Sequence, residues 1–164
     1  MNLKQIIARI LILCVVMYGA GQVLNAQAAT VRNFTLYGSY ASGWGFSASN
    51  ITVPGPEIVV DLNDVVNLTL INVDTGYYAA PHRFLLSYEN SSTQQSGDVV
   101  SSDIGSGQTV ILTFTANVSG TFTYYCVFHP SLMHGIFIVT PAVPEFQPLI
   151  MLSILAVCTM TAAL

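Results

Sequence analysis

The sequence predicts an all-β domain of the sandwich or barrel class over residues 29–142, and three observations predict it. Short runs rich in Val, Ile, Thr, Tyr and Phe recur there, punctuated by Gly, Pro, Asn and Ser. No stretch sustains the i, i+3, i+4 apolar spacing of a helix. Period-two alternation puts Ile58, Val60 and Leu62 on one face of a strand, Val66, Leu68 and Leu70 on the next, and Val110, Leu112 and Phe114 on a later one.

In chain order, Pro54-Gly55-Pro56 breaks the chain before the strand that begins near Ile58. Asn63-Asp64 reads as a hairpin turn between the first two alternating runs. Pro81 and His82 precede the apolar run Phe84-Leu85-Leu86. From Ser87 to Gln108 the chain is rich in Ser, Gln, Asp and Gly and reads as a solvated connection with little capacity for a core. In Thr121–Cys126, alternation sends Phe122, Tyr124 and Cys126 inward and Thr121, Thr123 and Tyr125 outward. A tight loop follows, and a last strand covers Ile136–Val139. Trp44, Tyr77 and Tyr78 carry no assigned role, because aromatics in such a fold mostly belong to the core.

The chain's 164 residues hold one domain of ordinary size. Apolar residues make up 52% and charged ones 7%, too apolar for a soluble domain unless some of that character lies outside the fold. Residues 1–28 open with Lys4 and Arg9, continue through an apolar run and end in Ala26-Gln27-Ala28, the pattern of a cleaved secretory signal. Residues 143–164 are apolar after Glu145, and predict a C-terminal membrane anchor or a sorting tail. The domain is therefore expected at the outer face of the cytoplasmic membrane or the cell surface, tethered through its tail. Five Asn-x-Ser/Thr sequons, at Asn33, Asn50, Asn67, Asn90 and Asn117, fit an exported glycoprotein.

Between the two ends the basic residues are Arg32 and Arg83, whereas all eight acidic residues fall between Glu57 and Glu145. Such a surface excludes nucleic acid as a partner and favours a protein with a cationic face. Cys14 and Cys158 lie in the ends, which leaves Cys126 alone in the domain with no disulfide partner. A solitary thiol in an oxidising compartment is buried, reactive or a metal ligand.

His129, Met133 and His134 all fall within eight residues after Cys126, and the remaining histidine is His82. A thiolate and two imidazoles with a weak thioether make the trigonal set that suits copper in both Cu(I) and Cu(II). Cys126, His129 and Met133 come from one short loop, and His82 supplies the fourth donor from elsewhere.

Pro56–Val60, Asp64–Asn72, Pro81-His82-Arg83-Phe84, Gly120–Cys126, His129-Pro130 and Met133-His134-Gly135 together resemble the cupredoxins, in particular the plastocyanin-like and archaeal small blue (type 1) copper proteins. That resemblance implies a Greek-key β-sandwich or barrel holding one copper per chain, with His82, Cys126, His129 and Met133 as ligands. His134 competes with Met133 for the axial place. Many members carry Asn after the first histidine where this chain has Arg83, which changes the surroundings of the sulfur. The implied function is one-electron transfer without catalysis, by a monomer that meets a cytochrome, an oxidase or another cupredoxin. The alternative from another class is an adhesion module on the same fold. A binuclear copper centre needs a second cysteine in the loop, and copper oxidases or nitrite reductases need more histidines than three.

Overall fold

Ten strands in two five-stranded sheets build the domain. The computed structural model describes residues 29–141 together with residues 4–6 and 9, and Ala28–Ala142 form one compact unit. One sheet runs β3 (Asn50–Thr52), β2 (Gly43–Ser47), β1 (Val31–Ser39), β5 (Val65–Asn72), β8 (Thr109–Thr115). The other runs β4 (Ile58–Asp61), β10 (His134–Thr140), β9 (Gly120–Cys126), β6 (Phe84–Ser87), β7 (Val99–Val100). β1 pairs parallel with β5, and β4 parallel with β10; the other pairings are antiparallel. This is the all-β sandwich that the alternation predicts. Its inner faces carry Leu36, Ile58, Val60, Val66, Leu68, Leu70, Phe84, Leu86, Phe122, Tyr124, Phe137 and Val139.

Two expectations are corrected. Asn63-Asp64 is not a hairpin turn, since β4 and β5 lie in different sheets and the chain crosses between them there. The crossing is fixed by a buried carboxylate: Asp64 accepts hydrogen bonds from the Thr30 and Asp61 N–H groups at 3.0 Å each and from Arg32 Nε at 2.8 Å. Asn63 takes a left-handed conformation, φ 73°, which Asn tolerates better than most residues. Nor is the connection from Ser87 to Gln108 wholly solvated. It contains β7 and delivers Ile104, fully buried, into the core. Burying one such side chain contributes about 1.5–3 kcal/mol toward ordering the residues beside it.

The pairing brings the site together. Phe84 stands opposite Cys126 in the β6–β9 ladder, so His82, two residues before Phe84, lies at the same end of the sandwich as the loop after Cys126. His82 is locked there by reciprocal backbone bonds with Ile104, at 3.0 and 2.8 Å. Trp44 of β2, fully buried, packs beneath this end with its ring centroid 6.0 Å from His82 and 6.3 Å from Phe84. Among the described residues no helix is long and apolar enough to cross a membrane. Residues 4–6 and 9 are helical; the remainder of the expected signal and the tail 143–164 lie outside the described residues.

Candidate metal centre

Cys126 ends β9 on its inward face and is fully buried, as alternation requires. The loop after it folds back in a tight helical turn: His129 N–H donates to Cys126 O at 3.2 Å, and Met133 N–H to His129 O at 2.9 Å. Cys126 N–H then donates to Met133 O at 2.7 Å, closing the loop on the first residue of its own turn. This holds His129 and Met133 close to the cysteine.

Cys126 Sγ lies 3.8 Å from His82 Nδ1 and 3.6 Å from His129 Nδ1. All three donor atoms fall within 4.8 Å of one another. A trigonal ion with bonds of about 2.0 Å to nitrogen and about 2.3 Å to sulfur, the lengths found for zinc, needs nitrogen–sulfur edges of about 3.7 Å. The observed edges meet that requirement, so the residues present fit one metal ion. The two imidazole rings stand nearly perpendicular, at 83° with centroids 5.5 Å apart, each presenting Nδ1 to the sulfur.

Met133 is fully buried and belongs to the core, where its Cε would lie 3.1 Å from a Cβ placed on Gly38. His134 follows the opposite alternation. It faces Tyr125 across the β9–β10 ladder, away from buried Phe137 and Val139, with its ring 6.5 Å from that of Tyr125.

Burial pushes the Cys126 thiol up, opposed by backbone N–H groups of Arg83, Phe128 and His129 that face the sulfur. Burial also holds both His82 and His129 below the ordinary histidine range, so the free rings favour the neutral form that ligates metals. The guanidinium of Arg83 is paired with Asp103 at 2.6 Å and lies 5.2 Å over the Phe128 ring, and its charge also favours the ionised form of Cys126.

His82 is fully buried, while half-buried His129 reaches a cleft of about 610 Å³ lined by Tyr40, Tyr77, Ala79 and Ala80. The Tyr40 ring meets His129 edge-on, with centroids 4.8 Å apart. Three neighbours thus escaped the sequence reading: Trp44 beneath His82, Tyr40 against His129, and Asp74, whose Oδ2 stands 3.1 Å from His82 Nε2. Their signals are weak, an isolated aromatic or an Asp in a loop, because each reaches the site through the sandwich and not through sequence spacing.

No family model matches the chain. The auracyanin of the photosynthetic bacterium Roseiflexus castenholzii superposes with a TM-score of 0.52 over 70% of this chain and all of its own, at 15% identity. Auracyanin B superposes at 0.51, over 72% of this chain and 94% of its own, again at 15% identity. The fold is that of the cupredoxins. A copper-containing nitrite reductase of Pseudomonas chlororaphis is 32% identical over 104 residues, 63% of this chain and 24% of the reductase. That of Rhizobium meliloti (strain 1021) is 38% identical over 77 residues, 47% of this chain and 19% of the reductase. The chain thus spans about a quarter or less of the length of these curated relatives. Within this fold the buried Cys126 thiol and the imidazoles of His82 and His129 make a donor set that suits a single copper ion, and buried Met133 closes the same loop.

Proposed function

We propose that this cupredoxin domain is a one-electron carrier and not an enzyme, and that His82, Cys126, His129 and Met133 would hold its copper. The observation that carries the reading is the placing of the cluster: a fully buried thiol and imidazole, with a second imidazole edge reaching the surface cleft. Bound copper supplies the Cu(I)/Cu(II) couple there. The chain's own residues do the rest. The antiparallel β6–β9 pairing and the Cys126–Met133 closure fix the donors, which favours one geometry in both oxidation states. His129 and the aromatic rim give an electron a short way out. Met133 is preferred over His134 as the fourth donor because it is fully buried in the same core as Cys126, whereas His134 faces Tyr125.

The same reading places a monomeric domain outside the cytoplasmic membrane, exported by residues 1–28 and tethered by residues 143–164. Its anionic surface suits a redox partner with a cationic face, such as a cytochrome, an oxidase or another cupredoxin. Exposed Asn50, Asn90 and Asn117 are the better glycan acceptors. The amides of Asn33 and Asn67 are bonded to each other across β1 and β5 at 3.0 Å. Voltammetry of the copper-loaded protein tests the central claim: one reversible one-electron wave is expected. Bound Cu(II) that cannot be cycled without loss would overturn it.

A further inference from the structure

Asp74 is a buried acid that no part of the proposed function uses. It is 6% exposed, and among the described residues the cationic or potentially cationic side chain within ion-pair distance of it is His82, at 3.1 Å from Nε2. A buried carboxylate without a positive counterpart is costly. The one it faces here lies across an imidazole whose other nitrogen, Nδ1, points at the cysteine sulfur.

The carboxylate is held from several sides. Its Oδ2 accepts the Tyr40 N–H at 2.8 Å, its own N–H donates to Asn72 Oδ1 at 2.9 Å, and its carbonyl accepts the Ser106 hydroxyl. The Asn72 amide in turn donates to Ala80 O at 2.7 Å and Ile104 O at 2.9 Å, and Ile104 is the residue that locks His82. His82 Nε2 is buried and has no directed hydrogen bond; its contact with Asp74 is close in distance but imperfect in angle. Metal ligation through Nδ1 puts the ring proton on Nε2, and the acceptor nearest to it is this carboxylate. Asp74 also reaches the second imidazole indirectly, since the Tyr40 whose N–H it binds lays its ring against His129.

We propose that Asp74 is a positioning residue for the copper centre, holding His82 in the Nε2–H tautomer and lowering the reduction potential by favouring Cu(II) over Cu(I). This rests on the copper-carrier reading above. The sign follows from charge: a negative group behind the imidazole makes the ring a stronger donor and stabilises the more positive ion. Outer-sphere partners of metal-bound histidine are worth about 10–100-fold in metal affinity. At the lower end, tenfold in the Cu(II):Cu(I) affinity ratio, the potential moves by about 59 mV for one electron.

The test compares the potentials of copper-loaded wild type, Asp74→Asn and Glu89→Gln, the last removing a charge elsewhere on the domain. Asp74→Asn keeps an acceptor for Tyr40 N–H and loses the charge; it is expected to keep the thiolate–copper band and raise the potential by about 59 mV or more, with Glu89→Gln unchanged. A blue centre with the wild-type potential in Asp74→Asn, or an equal rise in Glu89→Gln, overturns the proposal alone. Wild type that forms no thiolate–copper centre overturns the carrier reading and this proposal with it. If Asp74→Asn does not fold, proton–nitrogen correlation spectra of the Cu(I)-loaded wild type decide. A slowly exchanging, strongly downfield His82 Nε2–H supports the carboxylate contact, and a signal at the position of an unbonded imidazole N–H refutes it.

Discussion

Adding one methyl group at Gly38 should strain the fold and the metal centre together. Gly38 is buried in β1, and a Cβ there would stand 2.6 Å from Trp44 Cζ3, 3.0 Å from Trp44 Cε3 and 3.1 Å from Met133 Cε. Carbon atoms prefer separations of about 3.5–4.0 Å, so the indole must move by about an ångström and the methionine by about half that. Trp44 has little room to yield: on its other sides are His82 and Phe84, and Gly55 approaches its Cβ closely enough that a methyl there would sit at 2.8 Å. Overpacking of this kind costs about 1–3 kcal/mol. Replacing Gly by Ala within a strand returns about 0.5–1 kcal/mol, which leaves a net loss of about 1 kcal/mol for Gly38→Ala. With a urea dependence of about 2 kcal/mol per molar, the unfolding midpoint should fall by about 0.5 M. The copper-loaded variant should also show altered axial character in its visible and electron spin resonance spectra, because the displaced methyl belongs to Met133. A midpoint equal to or above that of wild type would refute the packing of Trp44 and Met133 described here.

Met133→Gln should shift the visible spectrum and the copper hyperfine splitting, whereas His134→Gln should leave both close to wild type; the reverse pattern would make His134 the axial ligand. Asp64 is held below the ordinary carboxylate range: burial opposes this, but the Asp61 N–H, the Arg32 guanidinium and the Thr30 N–H outweigh it. Its contribution to stability is therefore present above about pH 4 and is lost as pH falls through the depressed value. Asp64→Ala should destabilise the domain by about 1–3 kcal/mol near neutral pH through the unsatisfied N–H groups and flatten the acid limb of the stability profile, both read by denaturant unfolding at a series of pH values.

Much of this was legible in the chain because the informative signals are local. Alternation in Thr121–Cys126 fixes which side chains enter the core, and the spacing of Cys126, His129 and Met133 is that of one short loop. What escaped the sequence depends on contacts between distant segments. Asn63-Asp64 has the composition of a hairpin turn, but the parallel pairing of β1 with β5 and of β4 with β10 puts its flanking strands in different sheets. Ile104 sits in a polar stretch, and its burial arises from the backbone bridge to His82. Asp74 and Tyr40 gain meaning only through a hydrogen bond 34 residues long in sequence, which no periodicity records.

The most direct test of the account is the visible absorption and electron spin resonance spectrum of the Cu(II)-loaded protein beside its Cys126→Ser variant. An intense thiolate-to-copper charge-transfer band with narrow copper hyperfine splitting, present in wild type and absent in the variant, is predicted for the trigonal His82–Cys126–His129 centre. Failure to bind copper, or pale spectra shared by both proteins, would contradict it.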